Sequence, residues 1–252
     1  MLKIMINGFS GQMGQAIAEQ IEYREDMELV AGIVTDVRSY AGDIKVYDDI
    51  RDFDGSCDVI VDFSHPNALD DLLGYARDNS IALVIGTTGY GDKDIAKLEK
   101  AAKDIPILYS ANMSLGINLL LSLVYRAANI LNDDFDIEII EKHHNQKIDA
   151  PSGTAYMIAD RINEAFENGK TYIFGRHTKT DKRTPKEIGI HAIRGGTIVG
   201  EHTVLFAGLD EVLEIKHEAS SKGVFAKGAL RAAEFIIDKD KGLFDMDDLI
   251  GR

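Results

Sequence analysis

The chain has 252 residues, 45% of them hydrophobic and 28% charged, which is ordinary for a globular protein with room for two domains. A net charge of −14 argues against nucleic acid as the main partner, because phosphate backbones need a basic face. Any anionic ligand must then be held by local cations or by backbone N–H groups.

The first elements alternate between strand and helix. KIMIN is a compact apolar run, and MLKIMING enters that strand directly, so no signal peptide is expected. GQMGQAIAEQIEY has helical spacing through Met13, Ile17 and Ile21, and ELVAGIV reads as a second strand. DVIVDFS is a third clear strand, followed by the helical LDDLLGYARDN, the strand IALVIGTTG, the helix DKDIAKLEKAAKD and the strand PILYSANM. Strands alternating with helices across short turns predict a parallel sheet wound on both faces. No internal repeat or low-complexity linker interrupts it.

The pattern changes after Met113. A long helix fits SLGINLLLSLVYRAANILN, whose apolar core INLLLSLVY is too short to span a bilayer, so no membrane partner is expected. FDIEIIEKHH alternates like a half-buried strand. TAYMIADRINEAFENG follows as a helix with Ala155, Ile158, Ile162 and Phe166 on one face and Gly169 as its C-cap. From Ile188 to Ser220 the chain reads as three strands in an antiparallel meander, and KGVFAKGALRAAEFIID returns to helix. The expected architecture is α/β. A dinucleotide-binding domain with a parallel sheet (residues 1–113 and 221–252) is split by an inserted α+β domain with a mixed or antiparallel sheet (114–220), entering before the last helix. A single cysteine, Cys57, leaves no internal disulfide framework and fits a reducing, cytoplasmic setting.

IMINGFSGQMG places Gly8, Gly11 and Gly14 between the first strand and first helix, spaced G-x-x-G-x-x-G where a dinucleotide fingerprint is G-x-G-x-x-G. Such a turn brings backbone close to a pyrophosphate seated on the helix N-terminus. By itself it is equally a tight strand-helix turn needing positive φ. Position adds weight, since the turn follows the very first strand. The second strand ends at Thr35 and Asp36, the two candidates for the adenosine ribose contact. Later strands end in DFSHP, GTTGY and YSANMS, small polar residues where parallel sheets bind ligands.

EKHHNQKIDAPSGTA, from Glu141 to Ala155, is the other departure from scaffold. His143 and His144 are consecutive at a strand end, so their rings should have different tasks. A zinc site lacks the usual partners, with no cysteine pair and no H-x-x-x-H helix, so no metal is expected. Ser152 is a natural N-cap, and the N–H groups of Gly153 and Thr154 fall in the helix's first turn, where intrahelical acceptors are missing. With the Lys147 ammonium they make a carboxylate cradle in an acidic protein. A histidine beside it is suited to passing a proton. The layout is that of a reductase acting on a small carboxylic acid. Arg194, in IRGG, offers a further cationic contact, although a strand-end turn explains it more simply.

These residues resemble the signature of the 4-hydroxy-tetrahydrodipicolinate reductase family, formerly dihydrodipicolinate reductase, of lysine and diaminopimelate biosynthesis. GFSGQMG, VDFSHP, GTTGY, SANMSLGIN, IRGGTIVGEHTVLFAG and GLFDMDDL fall in the family's order along essentially the whole chain. The resemblance implies reduction of a cyclic hydroxylated dicarboxylate, with loss of water, by NADH or NADPH. It implies His143 as proton donor and Lys147 as its catalytic partner, with His144, Ser152, Gly153 and Thr154 holding substrate carboxylate. Cofactor would be lined by Gly8, Phe9, Ser10, Gly11, Gln12, Met13, Thr35, Asp36, Phe63, Gly86, Thr87, Thr88, Ser110, Ala111, Asn112 and Met113. It also implies a homotetramer assembled through the sheet of the C-terminal domain. Many members have Glu where Thr35 stands, and some of these have Arg where Asp36 stands, which leaves the choice of cofactor open. Another amino-acid dehydrogenase of the same fold would not need H-H-x-x-K before P-S-G-T-A, and a non-catalytic dinucleotide sensor would not need the histidine-lysine pair.

Overall fold

The computed structural model describes residues 1–251, which divide into two compact units: 1–115 with 222–251, and Gly116–Ser221. In chain order the first unit begins β1 (Leu2–Asn7), α1 (Gln12–Ile21), β2 (Met27–Ile33), β3 (Val46–Tyr47) and β4 (Val59–Asp62). It continues with α2 (Leu69–Asp78), β5 (Ala82–Ile85), α3 (Asp92–Ala101) and β6 (Pro106–Tyr109). The second unit holds α4 (Leu115–Leu131), β7 (Asp136–His143), α5 (Gly153–Glu164), β8 (Thr171–Phe174), β9 (Glu187–Arg194), β10 (Gly200–Ala207) and β11 (Val212–Ala219). The chain then returns to the first unit with α6 (Gly223–Ile236), β12 (Gly242–Phe244) and α7 (Met246–Ile250).

The first sheet has the order β12-β6-β5-β4-β1-β2-β3, with every pair parallel. Its order reverses between β1 and β4, so the loops after Asn7 and Asp62 open side by side at the switch point where such sheets bind ligands. Both faces are buried, because successive residues alternate sides. Ile4, Ile6, Val59, Val61 and Val84 pack with α1 and α6, while Met5, Ile60, Leu83, Ile85 and Ile107 pack with α2 and α3. The doubly covered parallel sheet is as the alternation of strands and helices predicts.

The second sheet has the order β11-β10-β7-β9-β8 and is mixed. The expected antiparallel meander does not form. β10 and β11 are an antiparallel hairpin, but β9 leaves its sequence neighbour and runs parallel to β7, which lies between β9 and β10. Register explains the choice: β7 sets Ile137 and Ile139 opposite Phe206 and Val204 on one side and Ile188 and Ile190 on the other. All six side chains are buried against α4 and α5. A central strand apolar at every second position has two edges to offer, and a meander would use only one.

Four smaller differences are local. The sequence reading missed β3, β8 and β12, all two to four residues long and therefore too short to show a period. α6 is not the last helix, since β12 and α7 follow it. Gly169 is not a C-cap: α5 ends at Glu164 with Ala165 as its C-cap, and the left-handed turn beyond it falls on Glu167 and Asn168. The helical stretch from Leu115 to Asp134 has 20 residues and is, by length and composition, apolar enough to cross a membrane, unlike the shorter run within it. Its Ile117, Leu120, Leu121, Val124 and Ala128 are nevertheless buried in the second unit's core, as in any core helix.

Candidate active site

The β1–α1 turn is shaped by contacts that exclude side chains. Gly8 has φ +82°, and a Cβ there would lie 2.5 Å from the Phe63 carbonyl oxygen across the switch point. At Gly14 a Cβ would lie 2.6 Å from the carbonyl oxygens of Gly8 and Phe9, so the first turn of α1 presses onto the loop. The N–H groups of Gly8 and Phe9 both donate to the Ile33 carbonyl, at 3.1 and 2.9 Å. Gln12 and Met13 open the helix, where N–H groups lack intrahelical acceptors and favour an anion.

A groove of about 500 Å³ runs along these strand ends. Of the cofactor candidates it gathers Gly11, Gln12, Met13, Phe63, Gly86, Thr87, Thr88, Ala111, Asn112 and Met113. Gly8, Ser10 and Ser110 belong to the same loops without lining it. Ser110 shapes its loop, with Oγ donating to the Asn112 carbonyl at 3.0 Å. The Phe9 side chain is buried in the core, leaving only its backbone at the turn. Thr35 and Asp36 lie exposed beyond β2, where the Asp36 carboxylate caps the short helical turn Val37–Ser39 by accepting the Arg38 N–H at 3.0 Å.

Three residues of this unit escaped the sequence reading. Asp62, fully buried at the end of β4, accepts from Asn7 Nδ2 at 2.7 Å, Ser64 Oγ at 2.6 Å and Thr87 Oγ1 at 2.6 Å. It ties together the ends of three neighbouring strands, and burial pushes its carboxyl above the usual range. Phe225 completes the groove, and the Lys222 ammonium reaches the Gln12 side chain, placing a cation beside the glycine turn.

In the second unit, His143 ends β7 and His144 begins the loop. Glu141, two residues earlier and fully buried, lies on the same side of the strand. Its Oε2 meets His143 Nδ1 at 2.6 Å, and Arg194 grips both carboxylate oxygens at 2.7 Å. The Ser152 N–H donates to Oε1 at 3.0 Å. Burial alone would raise the Glu141 carboxyl, but the bonds from Arg194, His143 and Ser152 outweigh it and hold the group below the usual range. Arg194 therefore turns inward as a counter-ion and also donates to the Asp149 carbonyl at 2.6 Å.

Ser152 caps α5 as the sequence predicts, its Oγ accepting the Ala155 N–H at 3.2 Å. The same Oγ lies 3.0 Å from His202 Nε2. His202, 4% exposed, stacks edge-on to His143 with ring centroids 5.2 Å apart. Burial, aided by the neighbouring His143, pushes His202 down to about 4. The carboxylate cradle holds a resident group. Lys147 Nζ lies 2.8 Å from Asp149 Oδ1, and the ammonium holds that carboxylate below its usual range. Thr154 and His144 are half-buried beside this loop. Among the described residues no group of three or more His, Cys, Asp or Glu side chains could hold a metal ion.

The second unit thus pairs a buried carboxylate-imidazole couple with a helix N-terminus and an ammonium that already accommodates a carboxylate. Comparisons with known proteins converge on one family. Residues 2–113 match the family description "Dihydrodipicolinate reductase, N-terminus", and residues 116–250 match "Dihydrodipicolinate reductase, C-terminus". The chain is 49% identical over 252 residues to the 4-hydroxy-tetrahydrodipicolinate reductase of Caldanaerobacter subterraneus subsp. tengcongensis, covering 100% of this chain and 99% of that one. It is 44% identical over 250 residues to the protein of the same name from Clostridium novyi, covering 99% and 98%. The structure of dipicolinate-bound dihydrodipicolinate reductase from Paenisporosarcina sp. TG-14 superposes with a TM-score of 0.80 at 25% identity over 97% of each chain. Matched in both halves and aligned end to end with relatives of one name, the chain belongs to the dihydrodipicolinate reductase family.

Proposed function

We propose that the chain reduces 4-hydroxy-tetrahydrodipicolinate to tetrahydrodipicolinate with NADH or NADPH, in the lysine and diaminopimelate route and in the cytoplasm. The observation that carries the reading is the loop from Glu141 to Thr154. It sets a carboxylate-backed imidazole in one loop with a helix N-terminus and an ammonium that already pairs with a carboxylate. In this reading His143 delivers the proton. Lys147, His144, Ser152, Gly153 and Thr154 bind substrate carboxylate, which takes the place of Asp149 beside the Lys147 ammonium.

The groove of the first unit suits a dinucleotide. A Cβ at Gly8 would strike backbone at 2.5 Å and one at Gly86 would strike the Phe63 ring at 2.3 Å, so the strand-end loops pack too closely for a side chain at either position. Gly8, Phe9, Ser10, Gly11, Gln12 and Met13 would hold the pyrophosphate, with Phe63, Gly86, Thr87, Thr88, Ser110, Ala111, Asn112 and Met113 lining the remainder. Thr35 and Asp36 would meet the ribose. When bound, the nicotinamide supplies the hydride. An exposed Asp36 carboxylate at that end favours ribose hydroxyls over a 2′-phosphate, with Arg38 close enough in sequence to temper the preference.

The test is oxidation of NADH and of NADPH in an assay coupled to aspartate semialdehyde, pyruvate and the preceding synthase. The expected results are turnover with both cofactors, a higher kcat/KM with NADH, and a kcat lowered by roughly 10²–10⁴ in His143→Gln. Near-parental kcat in that variant would sink the assignment of the proton donor. Absence of any coupled oxidation would sink the reaction itself.

A further inference from the structure

Glu141 is a fully buried carboxylate to which the reaction as read so far gives no task. With its two oxygens occupied by Arg194, by the Ser152 N–H and by His143, it is ionised and has no proton to give. The 2.6 Å contact with His143 Nδ1 is therefore a bond that the ring donates. In a neutral imidazole only one nitrogen carries hydrogen, so the contact settles which one: Nδ1 faces inward with its proton, and Nε2 is the atom left to exchange one. Among the described residues nothing hydrogen-bonds Nε2. It lies against Gly200, where a Cβ would come within 3.1 Å of it, so glycine keeps that nitrogen accessible. The other groups around the ring are Arg194, turned onto Glu141, Lys147, paired with Asp149, and His202, whose Nε2 is engaged by Ser152. None of them competes for Nδ1.

We propose that Glu141, clamped by Arg194 and the Ser152 N–H, is a positioning residue that locks the His143 ring so that Nε2 carries the proton to the substrate. The inference rests on the reading of His143 as proton donor and deepens it. Arg194 then serves the reaction from behind the histidine, as the counter-ion of a buried carboxylate, and not as a cation for substrate.

The test pairs ¹⁵N spectra of the imidazole with steady-state kinetics, in the parent and in Glu141→Gln. The glutamine amide can donate toward Nδ1 and so favours the opposite tautomer. The neutral ring of the parent is expected to carry its proton on Nδ1, and that of Glu141→Gln to shift it to Nε2. Alongside, kcat is expected to fall roughly 10²-fold or more while substrate KM changes less than about threefold, the pattern of a wrong tautomer with binding intact. Glu141→Asp, which keeps the charge, should recover part of the loss. A neutral parent ring protonated on Nε2 and not on Nδ1 overturns the proposal, and this holds even if Glu141→Gln fails to fold. An unchanged kcat in a folded Glu141→Gln overturns it as well, as does a fall in kcat with no change of tautomer. If His143→Gln itself keeps its kcat, the proton-donor reading is what has failed, and the spectra still decide whether Glu141 sets the ring.

Discussion

His202 and His143 are side chains of one kind, 5.2 Å apart, in opposite situations. His143 has a buried anion behind it, whereas His202 meets a serine hydroxyl and has a buried Nδ1 with no hydrogen-bond partner. The folded protein therefore resists protonating His202, held near 4, while the unfolded chain takes up that proton near the ordinary 6.5. Stability from this group is present above 6.5 and is lost as pH falls from there toward about 4. Between pH 7 and pH 5 the loss comes to about 2 kcal/mol. His202→Gln keeps a partner for Ser152 and removes the titration. Its stability relative to the parent, from urea unfolding, should improve by about that amount between pH 7 and pH 5. A difference that does not change with pH would show that His202 is not the group responsible. At this scale the sequence exposed what lay within one loop: His143, Lys147, the Ser152 cap. It could not expose Glu141 as their support, because Arg194 and His202 reach the loop from 53 and 50 residues away.

Helix glycines show how differently one residue type can be placed within an element. Gly74 lies on the exposed side of α2, and a Cβ there meets nothing within 4 Å. Gly228, in α6, faces the Met113 carbonyl oxygen, which a Cβ would approach to 1.7 Å. Alanine at position 74 relieves the entropic cost of a helical glycine and should stabilise by roughly 0.5–1 kcal/mol. Alanine at 228 must push helix and loop apart, costing roughly 1–3 kcal/mol, and it disturbs Met113 at the groove. Thermal unfolding of Gly74→Ala and Gly228→Ala should shift Tm in opposite directions. Two shifts of the same sign would contradict the packing of α6 on that loop. Periodicity made both helices legible, since a buried stripe repeats every three or four residues whatever it packs against. It said nothing of which glycine was confined, and nothing of β3, β8 and β12, whose existence depends on a neighbouring strand to pair with.

For the whole molecule, the five-stranded sheet has one face covered by α4 and α5 and one that no helix of its own unit covers. The second face is not simply apolar. Ile140, Leu205 and the exposed Ile193 alternate with the ion pairs of Glu138 to Arg176 and of Glu201 to Lys142 and Lys216. Such a surface suits a specific partner of the same kind, and a homotetramer built through this sheet is the expected assembly. Sedimentation velocity at micromolar concentration should show a four-copy species, and Leu205→Glu should shift it to smaller ones. A parent that sediments only as monomer would refute this.

What the sequence determined by itself were properties carried by contiguous residues: the alternation that makes a doubly covered parallel sheet, the glycine turn, the capped helix after the histidines, and a signature long enough to identify a family. Tertiary structure decided whatever depends on which segments meet. It placed β7 between β9 and β10 where adjacency in the chain suggested a meander, because a strand apolar at alternate positions can be satisfied along both edges. It buried Glu141 behind His143 with an arginine from another strand. Local pattern records which face of an element seeks cover. The identity of the group that covers it, and hence the charge, proton and orientation of a site, is fixed only when distant segments are packed together.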